Sequence, residues 1–138
     1  MVDELIRARQ RNVEVRIIVP GKKSDHALTR SSSRRLFGNL LEAGAKVYEY
    51  QPSMIHVKLL IVDGLWSVVG STNFDNRSFG LNDEVNLAVR DRGTAERLRL
   101  DFATDTTNSC ELTLAKWRKR PILEKLTERV GSALERQQ

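Results

Sequence analysis

His56-Val57-Lys58-Leu59-Leu60-Ile61-Val62-Asp63, followed after six residues by Gly70-Ser71-Thr72-Asn73, is the stretch on which the reading of this chain turns. Side chains of a β-strand alternate faces with a period of two, so His56 and Lys58 share one side while Val57 and Leu59 take the other. An imidazole therefore stands beside an ammonium, with the hydroxyl of Ser71 and the amide of Asn73 close behind in sequence. Phosphodiesters resist attack because their oxygens are anionic. A site that cleaves one must neutralise that charge, bring a nucleophile in line and protonate the departing oxygen. Histidine is the side chain that changes charge near neutral pH, so it serves either as nucleophile or as acid and base. Lys58 and Asn73 are donors for the phosphate oxygens, with Ser71 in support after a glycine that lets the backbone come close. Glu84, on the following strand, is a carboxylate of the kind that orients an imidazole.

Outward from this stretch, Val57–Val62, Ser67–Val69 and Glu84–Val89 read as strands, with Asp63-Gly64 as a tight turn between the first two. Upstream, residues 3–11 read as the end of a helix running into a strand, Val13–Val19, stopped by Pro20-Gly21. Asp25 is placed to cap a helix that runs to about Ala43 on Leu28, Leu36, Leu40 and Leu41, with Gly44 closing it before a strand Lys46–Tyr50. Downstream, a helix is expected from Thr94 to about Ser109. A short helix capped by Thr113 runs through Trp117, and a last one starts at Pro121 and ends near Arg136. This order predicts an α/β fold with a central mixed sheet flanked by helices, residues 1–111, followed by a basic helical extension, residues 112–138.

A chain of 138 residues with 40% apolar content is long enough for one domain with a core. No apolar run approaches the ~18–20 residues that cross a bilayer, and the acidic start Met1-Val2-Asp3-Glu4-Leu5 does not read as a signal peptide. A lone Cys110 excludes an internal disulfide and a cysteine-built zinc site. The net charge of +5 is uneven: residues 1–35 carry nine basic against four acidic side chains, residues 36–115 seven against eleven, and residues 116–138 seven against three. Basic ends of this kind meet anionic lipid or nucleic acid, or remain solvated helix faces. The last helix, with a stripe of Ile122, Leu126, Val130, Ala133 and Leu134 behind Trp117 and the cluster Lys116, Arg118, Lys119 and Arg120, fits either packing on its own domain or lying on a membrane surface.

His56, Lys58, Asp63, Gly70, Ser71 and Asn73 match without substitution the His-x-Lys-x4-Asp-x6-Gly-Ser-x-Asn pattern, and the chain resembles the phospholipase D superfamily. Asn73-Phe74-Asp75-Asn76-Arg77-Ser78, Leu81-Asn82-Asp83-Glu84 and Tyr48-Glu49-Tyr50-Gln51-Pro52 are similar to its cardiolipin synthase branch, over about Asn12 to Arg120. The resemblance implies a covalent mechanism. One motif histidine attacks phosphorus to give a phosphohistidine; the other protonates the leaving alcohol and then activates the acceptor. It implies no cofactor and no metal, although Asp63, Asp75, Asp83 and Glu84 are oxygen donors for a hard cation. The catalytic set it implies is His56, Lys58, Asp63 and Glu84, with Lys58, Ser71 and Asn73 on the phosphate. Asp63 belongs to the pattern but is expected to serve the local fold. As the second of two halves, this chain would use His56 as acid and base.

The implied substrate is a phospholipid of the phosphatidylglycerol type, on an anionic membrane surface at its cytoplasmic side, to which the chain attaches peripherally. A second motif-bearing half is needed, supplied in cis, in trans or by homodimerisation. A homodimeric nuclease and an inactive remnant are the alternatives. Nucleic acid is the weaker substrate, because the chain offers no aromatic platform for bases. Two other features carry less. Pro20-Gly21-Lys22-Lys23-Ser24 lacks the glycine a phosphate loop requires at Arg16, and His26, beside Asp25, reads as a solvent-facing side chain before it reads as a substrate contact.

Overall fold

Gly44 and the pair Asp63-Gly64 take positive φ, as Asn12 does, and both mark reversals from which the strands are laid out. The computed structural model describes residues 1–21, 37–72 and 83–119. By its internal contacts the chain divides into two units: His56–Asn108 together with Met1, and Val2–Ile55 with Ser109–Gln138.

In the second of these, helix α1 (Val2–Gln10) carries Asp3 and Glu4 in its first turn and Arg7 and Arg9 in its last, the order that complements the helix dipole. It leads through Asn12, at φ 63, to strand β1 (Arg16–Pro20). Helix α2 is described over 37–42. It ends in a Schellman motif: Gly44 adopts φ +84, its N–H bonds to the Leu41 carbonyl, and the Ala45 N–H bonds to the Leu40 carbonyl. The chain is thereby aimed into β2 (Lys46–Tyr50), which pairs in parallel with β1 from Arg16↔Lys46 to Pro20↔Tyr50. Strand β6 (Ser109–Leu112) joins the other edge of β2 antiparallel, Val47 facing Leu112. Val47 is fully buried on this central strand. Val15, Leu40 and Ala45 form the core, with Leu5, Ile6 and Ala8 of α1 packed on it. Helix α4 (Leu114–Arg118) starts at Thr113, whose side chain accepts the Lys116 N–H, and Arg118 reaches Glu42 at 3.0 Å.

The other unit is an antiparallel meander, β3 (Lys58–Val62), β4 (Trp66–Gly70) and β5 (Asn86–Arg90), with β4 in the middle. Asp63 and Gly64 both take positive φ, 53° and 59°, and the Leu65 N–H closes the turn on the Val62 carbonyl. That is the mirror-image turn whose twist suits a hairpin. Helix α3 (Arg92–Thr107) lies against β3 and β4, with Ala95 fully buried; Ser67 of β4 is also fully buried. Asp91 caps α3, accepting from the Thr94 N–H at 2.7 Å and the Thr94 hydroxyl at 2.8 Å. These bonds hold its carboxyl below the ordinary aspartate range, the backbone bond being the larger cause.

The expected α/β class with a mixed sheet and flanking helices is what the chain adopts, and its strands among the described residues fall into two three-stranded sheets, one mixed and one antiparallel. Strand Lys46–Tyr50 and the Thr113 cap lie where the sequence places them. Helix α3 stops earlier than expected. Thr104, Thr106 and Thr107 hydroxyls and the Asn108 amide bond back to carbonyls in its last turns, and the chain leaves as β6 instead of continuing to Ser109. Strand β6 has no signature of its own in four residues; it exists through its ladder with β2. Asp25, His26, Leu28, Leu36 and the expected helix beyond Pro121 lie outside the described residues.

Two outcomes follow from this packing. The Ser67 hydroxyl is buried with no hydrogen-bond partner among the described residues, so Ser67→Ala is expected to raise stability by about 1 kcal/mol in denaturant unfolding. Because the Asp91 carboxyl is depressed in the folded chain, its contribution is present above the unfolded value of ~3.9 and is lost as pH falls through the lower folded value. Asp91→Ala should therefore lower Tm at neutral pH, and the difference from the parent chain should shrink in melts taken below that range.

Candidate functional site

His56 and Val57 precede β3, and Lys58 opens it, so the imidazole sits on an exposed approach to the sheet and the ammonium is anchored by the strand. Lys58 Nζ lies 2.8 Å from His56 Nε2 and donates at 2.8 Å to the His56 carbonyl. An ammonium has donors and no lone pair, so the short contact to Nε2 uses that nitrogen as acceptor and leaves the ring proton on Nδ1. In this arrangement Nε2 is the nitrogen with chemistry to offer, and the cation beside it is the natural seat for an anion.

Ser71 follows β4 and is tied to the chain that leads into β5. Its N–H donates to the Val85 carbonyl at 3.0 Å, its hydroxyl oxygen accepts from the Val85 N–H at 3.1 Å, and the hydroxyl donates to Glu84 Oε2 at 2.5 Å. Glu84 was expected on the imidazole of His56. In the structure its carboxylate takes the Ser71 hydroxyl, and His56 Nε2 faces Lys58. The next residue repeats the tie: Asn86 Nδ2 donates to Thr72 Oγ1 at 2.5 Å, and Thr72 is 6% exposed.

Gly70 sits between Lys58 and Asn86 in register. A Cβ there would lie 2.7 Å from Asn86 Cα and closer still to Asn86 Oδ1 and the Val85 carbonyl, so a side chain at this position would displace backbone. The glycine of the pattern is thus required by close approach of β5.

The predicted residues separate into two places. His56, Lys58, Ser71 and Glu84 belong to the end of the meander where β3 starts and β4 finishes. Asp63 belongs to the turn at the other end of β3, about 17 Å along an extended strand from Lys58. Its positive φ and its place in the hairpin give it a role in the local fold. Asn73 lies outside the described residues, as does Asp75. Among the described residues no group of three His, Cys, Asp or Glu side chains is placed to hold a metal ion. Thr72 and Asn86 were not singled out from the sequence. The available signal was a pair of short polar side chains at the two ends of the segment 73–85, but nothing in one dimension says that they meet.

Known proteins match this chain in sequence and in fold. The family model described as cardiolipin synthase, phospholipase D-like domain, matches residues 1–106. The minor cardiolipin synthase ClsB of Bacillus subtilis is 39% identical over 132 residues, which is 96% of this chain and 33% of that protein. Cardiolipin synthase A of Proteus mirabilis is 40% identical over 123 residues, 89% of this chain and 25% of that protein. The chain thus spans about a quarter to a third of the length of these relatives. In fold it is similar to the crystal structure of a phospholipase D family member, Nuc from Salmonella typhimurium, with a TM-score of 0.72 at 18% identity, over 81% of this chain and 72% of that one. With a family model matched over residues 1–106 and relatives 39% and 40% identical over most of its length, the chain belongs to the cardiolipin synthase family of phospholipase D-like domains.

Proposed function

We propose that this chain is the catalytic half of a cardiolipin synthase-like phosphatidyltransferase, acting on a phospholipid phosphodiester of the phosphatidylglycerol type. The observation that carries the reading is the 2.8 Å contact between Lys58 Nζ and His56 Nε2 at the open end of the sheet. A phosphate oxygen is a stronger acceptor for an ammonium than a neutral ring nitrogen is. Lys58 turns to the substrate anion, and Nε2 is released for proton transfer to or from the reacting oxygen.

In the reaction so read, a second imidazole attacks phosphorus. A nitrogen–phosphorus bond forms as the bond to the leaving alcohol breaks, and protonated His56 gives that alcohol its proton. His56 then removes the proton of the acceptor alcohol as its oxygen displaces the phosphohistidine, so atoms and charge balance over the two steps. Lys58 and Asn73 hold the non-bridging oxygens, Ser71 supports them, and Glu84 sets the position of Ser71. The second imidazole comes from another motif-bearing half, in the same longer polypeptide, in a partner or in a second copy. That the chain spans only a part of its relatives supports the first of these. No helix of the described residues is long and apolar enough to cross a membrane. Attachment to an anionic surface through basic side chains such as Lys116, Arg118 and Lys119 is the proposed route to a lipid substrate.

Labelled phosphatidylglycerol vesicles and, in parallel, DNA in chelator test this reading, with the chain alone and with a complementary half added. Lipid transfer is expected in the reconstituted arm, and His56→Ala should reduce it about 10²–10⁴-fold, the usual weight of a general acid or base. Turnover of DNA without lipid, or full activity of His56→Ala, would refute the assignment. Glu84→Gln keeps an acceptor for the Ser71 hydroxyl but loses the charge, so its kcat is expected to fall about tenfold or less, with Glu84→Ala the more damaging.

A further inference from the structure

The signature residues do not reach their positions unaided. Lys58, Gly70 and Asn86 form one row straight across β3, β4 and β5, and residues paired in register stand on the same face of a sheet. Gly70 contributes no side chain to the row. The space its Cβ would fill is taken by Asn86, whose Oδ1 is among the nearest atoms there while Nδ2 donates to Thr72 Oγ1. Thr72 is almost wholly buried, so its hydroxyl needs a partner, and removing that partner strands a polar atom out of water. It is the residue between Ser71 and Asn73, the two positions read as phosphate donors. Two consecutive ties therefore hold the chain where it leaves β4: Ser71 to Glu84 and Val85, and Thr72 to Asn86.

We propose that Asn86 is a positioning residue of the phosphate site, acting through the buried Thr72 hydroxyl to hold the Ser71–Thr72 backbone at the end of the sheet where Lys58 presents its ammonium. The inference rests on the functional reading above. It adds two residues that the signature does not contain, and it explains the glycine of the signature as the gap through which Asn86 reaches. Asparagine suits the task because its short arm carries a donor and an acceptor on one rigid plane, and it places no charge beside Lys58.

The test uses the whole chain with inorganic phosphate as probe. Binding is followed by NMR on the His56 ring protons, and melting temperatures establish that each variant is folded under the titration conditions. Asn86→Ala and the near-isosteric Thr72→Val are each expected to weaken phosphate binding about five- to tenfold, the weight of one hydrogen bond, and Thr72→Ser to stay within about twofold of the parent. The double variant Asn86→Ala/Thr72→Val should lose no more than either single change, because both remove the same bond. Phosphate affinity unchanged in Asn86→Ala and Thr72→Val, in a parent chain that binds phosphate and loses it in Lys58→Ala, would overturn this inference and leave the site reading standing. A loss in Thr72→Ser as large as in Thr72→Val would also overturn it, since the hydroxyl would then not be the agent. A parent chain that binds no phosphate, or binds it equally after Lys58→Ala, would sink the site reading and this inference with it.

Discussion

Close approach of β5 to β4 at Gly70 is the constraint on which the His56–Lys58 end of the meander depends. Ladder pairing sets strands about 4.8 Å apart, and side chains on the shared face then compete for the space above the middle strand. With no side chain at Gly70, Asn86 folds its amide over the strand and Val85 brings its carbonyl to the Ser71 N–H. A methyl group at Gly70 would push β5 away and undo the ties to Ser71 and Thr72 together. The same glycine that makes the signature recognisable is therefore a packing requirement before it is a chemical one.

The polar network at this end has a division of labour. Charge sits on one side, where Lys58 faces His56 across 2.8 Å at the solvent-exposed start of β3. Hydrogen-bonded scaffolding sits on the other, where Glu84 and Val85, which lead into β5, and Asn86, which opens it, hold Ser71 and Thr72. An exposed hydrogen bond from an ammonium to a ring nitrogen contributes little to stability, and that is in keeping with the proposal that Lys58 exchanges it for a substrate anion. Buried hydrogen bonds such as that of Thr72 are costly to break, and that is in keeping with a frame. The helix behind the sheet is anchored independently, by the Asp91 cap and by small side chains, Ser67 and Ala95, that allow α3 to come close to β4.

Much of the fold was legible because its signals are local. Gly44 has to be where a helix ends, since the Schellman motif needs a positive φ, and Asp63-Gly64 has to be a hairpin turn for the same steric reason. Thr113 and the strand Lys46–Tyr50 are likewise written in short-range preferences. Strand β6 was not legible, because Ser109–Leu112 becomes a strand by pairing with β2, more than fifty residues away in sequence. Division of the strands between two sheets is also a matter of long-range pairing.

For the site, the amino-acid sequence by itself determined the family and the candidate groups: the type and spacing of His56, Lys58, Gly70 and Ser71 are chemical facts that need no coordinates. Tertiary structure decided which side chain each of them meets. It placed Glu84 on Ser71, carried Asp63 off to the far turn, and brought Asn86 to Thr72. The physical reason is that alternation along one strand fixes which face a residue occupies, whereas register between strands fixes its neighbours, and register is set by turns and close packing that no single strand contains.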